Sequence, residues 1–275
     1  MTGHKGLIGN SLLSRLVDRE DKPVLLIDKK EGNDVLDIDK MKLEDRADAF
    51  IHLASFCKIN KTIENPELAF DNNVLGMSKV MEFCRKNKIQ KIIFTSSSRI
   101  LEEEKNPYTA SKIYGEELVK AYSKCYGIDY VVIRPSTVYG PFNDRTSRLI
   151  DIFILNALQG RELKIFGDEN KTLDFTYIDD FVDGFLIAMK QKNKEFDLSY
   201  GIGEKVGRVA DLIIHLAGTG YKKHYPPEIA QPQQVDLDIF ALKALGYAPK
   251  VGIDKGVKRT FDWYKENFDE ILKSR

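Results

Sequence analysis

The sequence predicts a doubly wound α/β fold, a parallel sheet carrying a smaller C-terminal α/β lobe. Two observations predict it. The opening stretch Thr2-Gly3-His4-Lys5-Gly6-Leu7-Ile8-Gly9 spaces glycines three apart and runs directly into an amphipathic helix through Leu12, Leu13 and Leu16. From Val24 to Ile133, short apolar, β-branched runs then alternate with helical patterns, as a parallel sheet requires because each strand must return through a crossover.

The 275 residues can bury one large core or two lobes sharing a cleft. Lys plus Arg and Asp plus Glu both number 42, so no net field favours nucleic acid or a membrane surface and the expected partner is a small molecule. Cys57, Cys84 and Cys125 are widely spaced in apolar or helical contexts, which suits buried thiols in a reducing cytosol better than disulfides. No Cys-x-x-Cys or His-x-x-x-His spacing occurs, so no metal is expected. With no long apolar run and no signal-peptide pattern, a cytoplasmic location is expected.

Glycine in the first turn tolerates positive φ and lets a pyrophosphate approach backbone N–H groups at a helix N-terminus. Gly3, Lys5, Gly6, Leu7 and Ile8 are therefore candidate dinucleotide contacts. Val24–Ile27 reads as a strand ending in Asp28, where an acidic side chain accepts ribose hydroxyls and favours NAD. Lys5, Lys29 and Lys30 pull toward NADP, because cations there could meet a 2′-phosphate. A strand normally precedes such a turn, yet only Met1 stands before Thr2. The expectation is a start assigned too late, with an unfilled slot in the sheet flanked by exposed apolar side chains.

Residues 33–38 and 49–54 read as further short strands. Asp37 and Ile38, at the end of the first, are adenine candidates; Leu53 and Ala54, at the end of the second, are cofactor candidates. His52 reads as a hydrogen-bonded core histidine. Asn73, on a helix through Leu68, Val74, Leu75, Val80 and Phe83, is a cofactor candidate with a backbone contact as its alternative. Lys91–Phe94 is a buried strand, and Ser97 and Ser98 follow it. Asn106-Pro107-Tyr108-Thr109-Ala110-Ser111-Lys112 opens a helix that places a phenol and an ammonium group one turn apart. A neighbouring lysine charge should lower the phenol pKa from roughly 10, making Tyr108 a proton carrier near neutral pH. Tyr130–Ile133 is another strand, ended by Arg134-Pro135-Ser136-Thr137-Val138-Tyr139-Gly140-Pro141. A helix is expected over 149–158, and Phe175–Asp180 opens one with two carboxylates near its N-terminus, favoured by the dipole. The last third mixes short strands, helices and the proline turns at Tyr225-Pro226-Pro227 and Gln231-Pro232.

Taken together and in order, these residues resemble the extended short-chain dehydrogenase/reductases, specifically the NAD-dependent epimerase/dehydratase group, over essentially the whole chain. The match rests on Gly3, Gly6 and Gly9, on Asp28, on Asp37-Ile38, on Ser97, on Tyr108 with Lys112, and on the landmarks Arg134–Pro141 and Phe175–Asp180. The resemblance implies a Rossmann domain over 1–140, with 170–192 returning to it, and a substrate lobe over 141–169 and 193–275 that holds a nucleotide sugar. It implies Tyr108, Lys112 and Ser97 as catalytic, Pro135 and Val138 near the cofactor, and Ser98, Thr137 and Arg148 near the substrate. A homodimer is the expected assembly.

Departures from the pattern narrow the reaction. Ser98 and Arg99 stand where sugar-nucleotide dehydratases carry an Asp-Glu pair, so dehydration is not expected. Arg99 and Arg148 replace the acid and base of the GDP-fucose synthase type. What remains is oxidation and reduction at one carbinol, C4 by expectation, as an NAD-dependent epimerase. An NADPH-dependent reductase and a catalytically idle cofactor-binding scaffold are the alternatives. Leu173 and Glu228 occupy positions where the family clamps the diphosphate with arginines, leaving Arg145, Arg148, Arg161 and Arg208 as replacement cations.

Overall fold

A computed structural model describes residues 1–143, 146, 148–230 and 237–274. The expected Arg145 contact and the Gln231-Pro232 turn lie outside the described residues. The main sheet is parallel and contains β1 (Phe50–His52), β2 (Lys91–Thr95), β3 (Asp129–Pro135) and β7 (Lys194–Leu198), in the order β1-β2-β3-β7. Ile92, Ile93, Val131, Val132 and Ile133 are fully buried, which explains why these strands read as continuous apolar runs rather than as alternating ones. A three-stranded sheet joins β4 (Thr137–Tyr139), β6 (Thr172–Tyr177) and β8 (Gly203–Lys205), and β5 (Glu162–Phe166) pairs with β9 (Tyr221–Tyr225).

The slot in the main sheet is occupied at its carboxyl end alone. Thr2 bridges Ile27 on one side and His52 on the other, both in parallel. The Met1 ammonium donates to the Leu25 carbonyl at 2.6 Å, and burial pushes its pKa down to about 6. Below this rung lies a cavity of about 380 Å³ against Leu13, Leu16, Leu25, Phe50 and Met189. The expected gap is therefore present, but its flanks are better covered than expected. Phe50 and Ile51 are buried, while Val24, Leu25 and Ala49 are half-buried.

Four further expectations are corrected. The run from Val24 forms no strand and meets the sheet through the Ile27 bridge and the Leu25 carbonyl. Residues 33–38 do not form a strand: the Asp34 carboxylate accepts from Leu36 N at 3.0 Å and starts a 3₁₀ turn over Val35–Lys40, the local competition that short polar side chains offer to extended pairing. Lys194–Leu198 was expected in the C-terminal lobe, yet it extends the main sheet beside β3. Of the three cysteines, all free, only Cys84 is buried; Cys57 is half-buried and Cys125 exposed.

The helix that carries Tyr108 runs from Pro107 to Tyr126. Its start is fixed reciprocally, Asn106 Oδ1 accepting from Thr109 N at 3.1 Å and Thr109 Oγ1 from Asn106 N at 2.8 Å. Pro107 supplies a preset φ. Gly115 lets this helix lie on β2, since a Cβ there would sit 2.4 Å from the Phe94 ring.

Candidate active site

The carboxyl ends of the parallel strands border a cavity of about 520 Å³, the place where open α/β sheets bind ligands. The glycine turn forms one wall. Gly3 holds φ +73, and a Cβ on it would stand 2.8 Å from Ala54 N; on Gly9 it would stand 2.1 Å from the Gly3 carbonyl oxygen. At Gly6 the nearest neighbour would be 3.5 Å away, so this position opens onto the cavity. Gly6 also caps the Leu7–Val17 helix with no side-chain acceptor, leaving the first N–H groups available to an anion. The cradle therefore fits the diphosphate of a dinucleotide.

Asp28 stands at the far end. Its carboxylate accepts from Lys5 N at 2.9 Å and from Lys30 N at 3.0 Å, which orients it while leaving lone pairs for ribose hydroxyls. Leu7, Ile8, Leu53 and Ala54 line the cavity as expected. Asp37 and Ile38 do not. Ile38 is fully buried and Asp37 pairs with Lys40 at 2.6 Å, because the 3₁₀ turn rotates them away; Asn33, Asp34 and Val35 line the cavity in their place. The Asp34-Val35 pair has the same chemistry three positions earlier, a signal present in the sequence but passed over. Asn73 does not line the cavity. Its Oδ1 accepts from Phe56 N at 2.8 Å and Ser55 Oγ at 3.2 Å, and its Nδ2 donates to Phe56 O at 3.1 Å and Ser111 Oγ at 3.0 Å. It positions the Ser55–Cys57 wall from behind. That wall, with Thr95 and Phe142, went unread because apolar and small side chains give no local signal.

Ser97, Tyr108 and Lys112 do not line this cavity but adjoin it through Thr95; Ser97 is near enough to the Tyr108 phenol to favour its ionised form and accepts from Arg99 N at 3.2 Å. Tyr108 is 8% exposed and Lys112 4%. The Lys112 ammonium lies 5.8 Å from the Tyr108 ring centre and donates to the Thr95 carbonyl at 2.8 Å. The expected lowering of the phenol pKa is reversed. Burial, with the nearby Cys57 thiol, pushes Tyr108 up to about 12, against smaller opposing effects of the Ser97 hydrogen bond, Arg148 and Arg99. Burial also pushes Lys112 down to about 8.

Among the substrate-side candidates, Ser98 opens a short 3₁₀ turn beside Ser97. Thr137 begins β4, and Arg148 lines the cavity with Nη1 donating to the Val138 carbonyl at 2.8 Å. Pro135 ends β3 and is half-buried, and Val138 is buried. Arg99 is paired with Glu102 at 3.0 Å, and Arg208 with Glu204 and Asp254. Glu228 Oε1 accepts from Asn60 Nδ2 at 3.1 Å. His52 is a core side chain, as expected: it shares a 2.8 Å hydrogen bond with Thr2 Oγ1, and burial pushes it down to about 3. Among the described residues no cluster of His, Cys, Asp or Glu could hold a metal ion, and no helix is long and apolar enough to cross a membrane.

The profile of the NAD dependent epimerase/dehydratase family matches residues 1–203. The chain belongs to this family. A UDP-glucuronate 4-epimerase of Thermodesulfobacterium geofontis is 32% identical, over 82% of this chain and 75% of its own length. A Thermus thermophilus UDP-glucose 4-epimerase, solved in complex with NAD, superposes with a TM-score of 0.87 at 25% identity, over 96% of this chain and 97% of its own. A Thermotoga maritima UDP-glucose 4-epimerase with UDP-glucose gives 0.88 at 25% identity, over 97% and 98%. The chain is an NAD-dependent enzyme of this family.

Proposed function

We propose that the chain epimerises a nucleotide sugar at C4 by reversible oxidation of the carbinol. The observation that carries this reading is the placing of Tyr108 and Lys112 one turn apart and buried on the Pro107–Tyr126 helix, with Lys112 Nζ bonded to the carbonyl of Thr95, a residue that lines the dinucleotide cavity. When bound, NAD supplies a reversible acceptor and donor of hydride. The residues of the chain handle the proton. Tyr108 Oη takes it from the sugar hydroxyl and returns it to the carbonyl oxygen, and Ser97 Oγ holds both oxygens in line. At neutral pH the buried phenol starts protonated, suited to donating to a ketone; Arg148 and Arg99 are the cations that stabilise its phenolate in the forward step. Lys112 is suited to donate to the nicotinamide ribose.

The absence of a carboxylate directly after Ser97 argues for epimerisation over dehydration. The nearest one, Glu102, is buried and paired with Arg99. The relatives named above supply the substrate class, UDP-hexoses or UDP-hexuronates, and C4 as the centre. We further propose a homodimer, with the exposed Tyr114 on the Pro107–Tyr126 helix facing a second copy.

The test uses UDP-glucose and UDP-glucuronate deuterated at C4. An epimerase yields the C4 epimer with deuterium retained at that carbon and with no net cofactor consumed. No epimer from either sugar, with stoichiometric loss of NADPH absorbance when a UDP-4-ketohexose is supplied, would instead establish the reductase.

A further inference from the structure

Lys29 and Lys30 line the corner of the cavity where Asp28 stands, and Lys5 is bonded to Asp28 through its backbone N–H, a composition that ought to welcome a 2′-phosphate. The structure shows how each is occupied. Lys29 Nζ pairs with Asp34 at 3.0 Å and donates to Asn72 Oδ1 at 2.6 Å. Lys30 Nζ donates to the Lys5 carbonyl at 3.0 Å. Lys5 Nζ pairs with Glu31 Oε1 at 2.7 Å. Glu31 is itself held on its other oxygen by His4 Nε2 at 3.0 Å, and His4 is 2% exposed within the glycine turn.

We infer that Glu31 is a specificity-determining residue for the cofactor, a carboxylate that occupies Lys5 and ends the short turn that Asp28 caps, so that the chain selects NAD over NADP. This rests on the reading of the Gly3–Asp28 wall as the adenosine end of the cofactor site. The geometry explains why the selection is stable. His4 is buried and cannot swing out, so it fixes Glu31 from the turn side, while Lys5 holds it from solvent. Lys5 in turn is bound through its own backbone N–H to Asp28, so its side chain starts next to the carboxylate that would accept the ribose hydroxyls. A 2′-phosphate would have to displace Glu31 from Lys5 while standing against the Asp28 carboxylate. The pairing also holds the Glu31 carboxyl below its usual range, chiefly through the Lys5 hydrogen bond, so the negative charge persists across neutral pH.

The experiment is a fluorescence titration of NADH and NADPH on the wild-type chain, Glu31→Gln, and Glu31→Gln with Lys5→Met. The wild type is expected to bind NADH in clear preference to NADPH. Glu31→Gln is expected to bind NADPH roughly fivefold tighter or more, the scale of one charge-assisted hydrogen bond at a half-exposed site, with NADH affinity moving less than about twofold. The second substitution is expected to remove that gain. An unchanged NADPH to NADH ratio in Glu31→Gln, or a gain that survives Lys5→Met, would overturn the inference while leaving the cofactor site intact. Failure of the wild type to bind NADH would overturn the site reading and the inference with it.

Discussion

Replacing Gly6 and Gly9 separately by alanine should split cofactor binding from folding. An added Cβ at Gly9 would stand 2.1 Å from the Gly3 carbonyl oxygen and 2.6 Å from His4 Cα. Both are backbone atoms of the same turn, so no side chain can yield. Overpacking of this kind costs about 1–3 kcal/mol or more, and the turn must open to relieve it. At Gly6 the added Cβ meets nothing closer than 3.5 Å, and φ is −86, which alanine adopts freely. The cost there is only the exchange of glycine for alanine at a helix N-cap, under about 1 kcal/mol. Yet the methyl projects into the cavity over the first N–H groups of the helix. Gly6→Ala is therefore expected to keep its thermal midpoint within about 4 °C of wild type and to lose NADH affinity tenfold or more, on the order of 1.4 kcal/mol. Gly9→Ala is expected to lose both. Thermal melts with NADH fluorescence titration make the comparison. NADH binding by Gly6→Ala equal to wild type would refute the placement of the diphosphate on this turn.

Other outcomes follow from buried polar groups. His52 has a folded pKa near 3 against an unfolded value near 6.5. The unfolded chain therefore binds the extra proton between these values, and stability is full above pH 6.5 and lost as pH falls toward 3, by about 1.4 kcal/mol per unit. Denaturant unfolding at pH 7 and pH 5 should show this loss in wild type and a smaller one in His52→Gln; equal losses would exclude His52 as the source. Asn73→Ala leaves the Phe56 N–H and carbonyl without their partners, and should cost about 1–3 kcal/mol together with some NADH affinity. A destabilised Asn73→Ala that binds NADH normally would show that the Ser55–Cys57 wall does not shape the site.

Much of the architecture was legible because the signals were local. The Pro107–Tyr126 helix announces itself through Asn106, Pro107 and Thr109, and β2 and β3 through unbroken runs of Ile and Val. The helix over Leu149–Leu158 falls where expected. Tertiary effects were not legible. Asp34 outcompeted strand pairing by capping its own turn, which left Asp34-Val35 rather than Asp37-Ile38 lining the cavity. Lys194–Leu198, with three charged residues in five, reads as surface, yet it pairs beside β3 because Phe196 and Leu198 bury one face while Lys194 stays exposed. The Tyr108–Lys112 spacing was visible, but its electrostatics depend on burial and on a carbonyl from β2. The Glu31 pairs with His4 and Lys5 span 27 and 26 positions, a distance at which sequence carries no pairing signal.

The central claim is that Tyr108 moves the proton in a C4 epimerisation. Proton NMR of wild type and Tyr108→Phe, each incubated with UDP-glucose, UDP-galactose and UDP-glucuronate, tests it most directly. The account predicts a C4 epimer from at least one substrate with wild type. It predicts a fall in rate on the order of 10²–10⁴ in Tyr108→Phe, with NADH affinity preserved because the aromatic ring remains. No epimer from any substrate, or undiminished turnover by Tyr108→Phe, would contradict it.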